Sequence, residues 1–311
     1  IMISSVSIFI LLYMMSFIML LSMDDWFLVW LSLEINMISF IMIIYNRYSL
    51  NSLESCFKYF FIQSLGSAIF MVMFYMNSMI EIMLIILSMK IGAGPFYFWF
   101  VYISNSLNWF SVFMLMSFQK IIPMMLFSIF MNLILLVISI FSLIIGVIGS
   151  FNQKNLSSLL AYSSVHHLGW MFIIILINDK FWINYLLLYS LVLYCVVLVL
   201  MSEEIVDIFM LNKLKNKWWF LFGMMSMAGM PPLLGFFMKM FAFYYIINLD
   251  MIYIMILMIM SIVMFYIYMR TLYDVMMSFC DEINWFNKSN MDIYSIFGLL
   301  LGVMVCIILM Y

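Results

Sequence analysis

The chain has 311 residues; 69% of them, about 215, are apolar, 8% are charged, and the formal net charge is −2. Ordinary soluble domains carry roughly 25% charged residues, and so few charges cannot clothe a soluble core of this size. This composition excludes a soluble enzyme, a secreted disulfide scaffold, a disordered chain and a nucleic-acid binder. The apolar runs are long and continuous, which also excludes a β-barrel of alternating ~10-residue segments.

At about 20 apolar residues per span, the chain suits ten or eleven membrane helices. Charges, Asn clusters and turn residues place eleven, at about 3–23, 26–45, 54–76, 79–100, 107–129, 132–149, 155–177, 181–202, 217–248, 251–271 and 291–311. The expected fold is an all-α membrane protein with two inverted five-helix repeats, about 1–130 and 131–273, and a C-terminal helix at about 291–311.

Loop charges set the orientation. One side carries Arg47, Lys154, Lys213, Lys215, Lys217, Arg270 and Lys288, and the other carries Lys180 alone, so the N-terminus is expected on the positive-inside face and the C-terminus opposite. The Glu203, Glu204, Asp207 cluster and the Lys213–Lys217 run read as a solvated loop without chemistry. That leaves Lys58, Lys90, Lys120 and Lys239 inside spans, together with Glu34.

Charge at mid-membrane costs several kcal/mol, on the order of 2.5–3.5 by insertion scales, and is kept where it faces protein or a hydrated cavity. Lys58 lies near the start of its helix and can snorkel to the interface. Lys90, Lys120, Lys239 and Glu34 lie deeper, which points to proton or ion movement. Lysine suits that work because burial loosens its proton and a nearby carboxylate tightens it again.

Two of these lysines sit beside helix breaks. Lys90 opens Lys90-Ile91-Gly92-Ala93-Gly94-Pro95-Phe96, and Gly229-Met230-Pro231-Pro232-Leu233-Leu234-Gly235 precedes Lys239. A proline inside a span removes a backbone donor and clashes with the preceding turn. The breaks fall in the fourth and ninth helices, a spacing of five that inverts the second copy. His166 and His167 are about 100° apart on one helix, so at most one is expected to face a shared polar interior. Cys56, Cys195, Cys280 and Cys306 form no metal or disulfide framework, and neither a metal site nor a dinucleotide fingerprint is present in the sequence.

The residues resemble the antiporter-like membrane subunits of respiratory complex I, the chain 2 family of mitochondrial NADH-ubiquinone oxidoreductase, over essentially the whole length. The resemblance rests on Trp30-x-x-x-Glu34-Ile35-Asn36, Glu54…Lys58-Tyr59-Phe60-x-x-Gln63, Lys90-x-Gly92-x-x-Pro95-Phe96, Gln119-Lys120-x-x-Pro123, Ala161-Tyr162-Ser163-Ser164-x-x-His167 and Pro231-Pro232-x-x-Gly235-Phe236-x-x-Lys239. Tyr97 and Val101-Tyr102 stand where the family usually carries His and Pro-Glu.

The resemblance implies that Glu34 pairs with Lys90, that Lys120 connects, that Lys239 is terminal, and that His167 lies between the halves. It implies translocation of protons coupled to quinone reduction elsewhere in the complex. This chain would bind no cofactor; NADH, FMN, Fe–S clusters and ubiquinone would belong to other subunits. Neighbouring antiporter-like and small membrane subunits and membrane lipids would be its partners, and the mitochondrial inner membrane its site, with the N-terminus in the matrix and the C-terminus toward the intermembrane space. Two other readings fit the residues alone: a free-standing cation/proton antiporter, and a membrane-arm scaffold whose lysines only pair.

Overall fold

The computed structural model describes residues 2–281 apart from 22–24, 47–48, 77–79, 178–179, 204, 215–216, 232 and 248–250, and excludes the side chains of 2–6, 212–213 and 277–281. The expected helix at 291–311, and with it Arg47, Lys215, Pro232, Lys288 and Cys306, lies outside the described residues.

Among the described residues the architecture is helical, with one isolated bridge between Asn155 and Asp207. Six helices among the described residues are long and apolar enough to cross a bilayer, and a seventh span is counted if the bent pair Ile80–Phe96 and Phe98–Ser106 is one. The chain is an integral multi-pass membrane protein. It divides into two compact units, residues 1–142 and 143–311.

The first unit contains α1 (Met2–Leu21), α2 (Trp26–Ile44), α3 (Leu50–Tyr75), α4 (Ile80–Ile91), α5 (Phe98–Ser106), α6 (Trp109–Met116), α7 (Ile121–Ile129) and the start of α8 (Ile134–Ser150). The second contains α9 (Leu156–Ile177), α10 (Phe181–Ser202), α11 (Lys217–Ala228), α12 (Leu234–Ile246) and α13 (Met251–Asp281). Short 3-10 turns at Gly94–Phe96, Phe118–Lys120 and Ile208–Lys213 join neighbouring elements.

Many buried serines fit these apolar helices because each hydroxyl is satisfied within its own turn. Ser16, Ser32, Ser39, Ser88 and Ser104 donate to the carbonyls of Tyr13, Val29, Asn36, Ile85 and Val101 at 2.6–2.9 Å. No such bond asks for a partner across the membrane interior.

Both expected breaks form, and by one device. α4 stops at Gly92 (φ +76°), whose N–H reaches Met89 O at 3.3 Å while Ala93 N–H reaches Ser88 O at 2.9 Å. α11 stops at Gly229 (φ +85°), whose N–H reaches Ser226 O at 3.1 Å while Met230 N–H reaches Met225 O at 3.2 Å. A glycine in the left-handed region closes each helix with paired bonds to its last turn. Gly94 and Pro95 then form a 3-10 turn, and α5 leaves at 84° to the helix before it. The same proline chemistry governs the segment after Gly229, where Pro231 sits in the turn before α12.

Three expectations change. The single helix at 107–129 is α6 and α7 separated by the turn ending at Lys120, because Pro123 has no N–H for the Gln119 carbonyl and its ring crowds that turn. The 203–217 segment is not simply a solvated loop: Leu156 N–H bonds to Val206 O at 2.9 Å, Ile208 N–H bonds to Lys154 O at 3.0 Å, and Lys217 is buried in the first turn of α11. α13 runs on to Asp281, beyond the expected end at 271.

Candidate functional site

In the first unit the site grows from one face of α3. Tyr59, Gln63, Ser67 and Phe70 recur at helical spacing and are buried, and Gly66 shares that face. Gly66 leaves room for the Lys90 side chain, whose Cγ would lie 2.9 Å from any Cβ added there. The next residue, Ser67, donates its hydroxyl to Glu34 Oε1. One turn of α3 therefore brings a carboxylate from α2 and an ammonium from α4 to the same place, and Glu34 acts on Lys90 electrostatically.

The end of α4 is satisfied by neutral donors. Gln63 Nε2 donates to Lys90 O at 2.8 Å, and Trp99 Nε1 donates to Met89 O at 2.9 Å. The Lys90 side chain is thereby left to the interior, where the residue is 4% exposed. Lys120 is 1% exposed at the α6–α7 break, with its Nζ 5.4 Å from the Phe100 ring centroid, within cation–π range.

Lys90 and Lys120 line one cavity with Asn36, Tyr59, Gln63 and Gln119. The space open to a water's centre there is about 20 Å³. Tyr59 Oη donates to Gln119 Oε1 at 3.2 Å, while Gln119 Nε2 and Asn36 Oδ1 are buried without a hydrogen-bond partner among the described groups.

In the second unit, Lys239 on α12 is 9% exposed, and its Nζ donates to Ala228 O, the last carbonyl of α11, at 2.8 Å. The ammonium thus caps the end of α11. The lysine lies across Gly229, with Nζ 3.0 Å from where a Cβ would be. Gly235 is needed at the start of α12 because a side chain there would run into Ser226 O.

α9 is buried on nearly all sides, and both histidines are buried, against different neighbours. His166 Nε2 accepts from Trp170 Nε1 at 3.2 Å, and Lys239 acts on the ring electrostatically. The lone pair that would take a proton is thus engaged. His167 Nδ1 is 2.9 Å from Tyr185 Oη, and the Tyr189 ring lies 4.8 Å from its own. A hydroxyl can reverse its donor and acceptor roles, so the His167–Tyr185 pair suits exchange better than the His166–Trp170 pair.

Of the sequence-derived residues, Glu34, Lys90 and Lys120 come together, as do Lys239 and His166. Lys58 does not join them: it pairs with Glu54 at 2.7 Å on the surface, its Nζ 3.4 Å from the centroid of the Tyr102 ring. Tyr102 also donates to Glu54 at 3.0 Å, which gives that departure from the family pattern a place. Cys56 and Cys195 are free thiols. Gly66, Ser67, Trp99 and the break at Lys120 were not foreseen. Their signals were the polar period along α3 and Pro123 four residues after Gln119.

Residues 70–265 match a family profile described as NADH:quinone oxidoreductase/Mrp antiporter, TM. A curated relative, NADH-ubiquinone oxidoreductase chain 2 of Anopheles gambiae, is 32% identical over 92% of this chain and 90% of its own. Among solved structures, a chain of respiratory complex I from Thermus thermophilus superposes with TM-score 0.70 at 23% identity, over 80% of this chain and 65% of that one. A chain of the Mrp complex from a Dietzia species gives TM-score 0.64 at 17% identity, over 81% and 55%. These two likenesses concern the fold; this chain spans less than two thirds of either subunit. On the strength of the profile and the curated relative, the chain belongs to the NADH-ubiquinone oxidoreductase chain 2 family of antiporter-like membrane subunits.

Proposed function

We propose that this chain is a membrane-arm subunit of a proton-pumping NADH:ubiquinone oxidoreductase and moves protons along its buried Lys, Glu and His residues. The carrying observation is the shared cavity of Lys90 and Lys120, two lysines 4% and 1% exposed, with Glu34 acting on the first. Both lysines line one small space with the polar side chains of Asn36, Tyr59, Gln63 and Gln119, room enough for a water.

Glu34 attracts a proton onto Lys90, Lys120 receives it, and His167 with Tyr185 and Lys239 extend the route in the second unit. Redox chemistry belongs to other subunits, and this chain holds no flavin, cluster or nicotinamide. Its partners are the other subunits of the complex and membrane lipids.

The full span count under this reading is eleven. α1, α2, α3, α4–α5, α6–α7, α8, α9, α10, α11–α12 and α13 supply ten, and the eleventh, expected at 291–311, lies outside the described residues. The breaks then fall in the fourth and ninth spans, as two inverted repeats require. The chain sits in the mitochondrial inner membrane with its N-terminus on the matrix side and its C-terminus toward the intermembrane space.

The test is proton translocation coupled to quinone reduction in the assembled complex carrying Lys90→Ala or Glu34→Gln. Loss of pumping with normal assembly is expected. Unchanged pumping would make the lysines structural and the subunit a scaffold, and absence of the chain from a very large complex on a native gel would favour a free-standing antiporter.

A further inference from the structure

The second unit carries a groove that the proton route does not use. Met225 on α11 and Tyr266, Met269, Leu272 and Met276 on α13 line a space of about 450 Å³. That volume falls within the range of small-ligand sites, about 300–1,000 Å³. Leu272 is buried at its floor, while Tyr266, Tyr273 and Met276 are exposed along its rim, so the groove opens to the outside of the unit. On α11, Trp218, Phe222 and Met225 follow one another at i, i+4 and i+7, and the first two are exposed. Apolar surface therefore runs from the start of that helix toward the groove.

One charge sits on this apolar wall. Arg270 lines the groove and donates from Nη1 to Phe151 O at 3.1 Å. Phe151 directly follows α8, so the guanidinium lies at the level of a helix end and not at mid-bilayer. A guanidinium has five N–H donors, and the bond to Phe151 is the one hydrogen bond it makes among the described residues. Asp274 lies one turn further along α13, yet no described carboxylate is within ion-pair distance of Arg270. Phosphate is an anion that the planar fork matches, and a bilayer supplies it joined to acyl chains.

We propose that the α11–α13 groove is a binding site for an anionic phospholipid, with its phosphate on Arg270 and one acyl chain along Met225, Met269 and Leu272. Flexible methionines mould to a chain of changing conformation. The phenols of Tyr266 and Tyr273, about one turn to either side of Arg270, suit the boundary between headgroup and hydrocarbon. A partner helix about 10–12 Å across would use up the volume in about one turn, too short a seat to hold it, whereas a hydrocarbon chain fills the groove along its length. A lipid held at both its phosphate and its chain is selected by charge, unlike the lipids that merely surround the protein.

The experiment exposes the assembled complex in detergent to phosphatidylglycerol, phosphatidylcholine or diacylglycerol, each with a photoreactive diazirine in one acyl chain, and maps the labelled peptides by mass spectrometry. Phosphatidylglycerol is expected to label α11 around Met225 and α13 around Met269 about tenfold more than diacylglycerol, which lacks the phosphate; that is the effect of one charge-assisted hydrogen bond. Phosphatidylcholine, whose choline offsets the phosphate charge, falls between them. Arg270→Gln brings phosphatidylglycerol down to the diacylglycerol level, and Arg270→Lys keeps part of the preference. Met269→Trp fills the groove and lowers labelling with Arg270 intact. Asp274→Asn removes a nearby negative charge, raises labelling by phosphatidylglycerol about threefold, and carries the test if Arg270→Gln does not assemble.

Equal labelling by the three lipids, unmoved by the Arg270 and Asp274 variants, would reduce the groove to ordinary lipid-facing surface and overturn the site. Labelling of neither helix, the result if residues 291–311 or a neighbouring subunit covers the groove, would overturn it as well. Displacement of phosphatidylglycerol by millimolar inorganic phosphate would show a free-anion site in place of a lipid site. Proton translocation rests on other residues and is untouched by any of these outcomes.

Discussion

At Gly92 the exposed carbonyls of a stopped helix are met by Gln63 and Trp99, and the neighbouring lysine turns away toward Glu34 and a cavity. At Gly229 the backbone stops in the same way, but the lysine is itself the cap, bonded to Ala228 O at 2.8 Å. The difference separates two uses of one motif. Where uncharged side chains close the helix end, the ammonium is available for exchange. Where the ammonium closes it, a move of the lysine also uncaps the helix, so charge state and helix geometry are tied together in the second unit and separable in the first.

The largest effect is expected at the second break. Gly235→Ala forces the α12 backbone off Ser226 O and should cost about 3 kcal/mol, seen as loss of assembled complex or early thermal inactivation. In contrast, Gly66→Ala meets only the flexible Lys90 stem, so assembly should survive while pumping falls. Equal stability in the two variants would break the comparison.

Next, Lys239→Met leaves the Ala228 carbonyl unmet and should destabilise by about 1–3 kcal/mol. The paired change Lys90→Met with Glu34→Gln removes both charges together, strips no backbone cap and should leave stability near wild type while stopping pumping. Thermal unfolding of the two variants side by side checks this. If they lose equal stability, Lys239 is no more a cap than Lys90.

Ser67→Ala sharpens the first unit. It removes the hydroxyl on Glu34 and should cost about 1 kcal/mol, with slower pumping as the carboxylate drifts from Lys90. The smallest effect belongs to Tyr102→Phe at the surface Glu54–Lys58 pair, where assembly and pumping should both remain at wild-type levels.

The sequence contained the buried lysines and both glycine-proline breaks because charge and proline carry a heavy penalty in an apolar span and therefore stand out singly. It did not announce Gly66 or Ser67, since a small residue in a helix is ordinary until a neighbour leans on it. The break before α7 was also missed, although Pro123 was in plain view: its consequence falls four residues upstream, on Gln119. The two histidines of α9 are both buried and meet different neighbours, Trp170 and Tyr185, because their side chains leave the helix about 100° apart.

Along the sequence all four prolines of the chain, Pro95, Pro123, Pro231 and Pro232, lie close to Lys90, Lys120 or Lys239. The partner shown for Lys239 is main chain, the Ala228 carbonyl, which every residue type supplies alike. A gene under pressure to replace its codons can exchange Leu for Met or Val for Phe through most of these helices without rewriting the conductive parts. A chain with 38 Met and 32 Phe that is 32% identical to a mosquito relative fits that freedom: its character lies in a few interruptions, and the rest of the alphabet is free to drift around them.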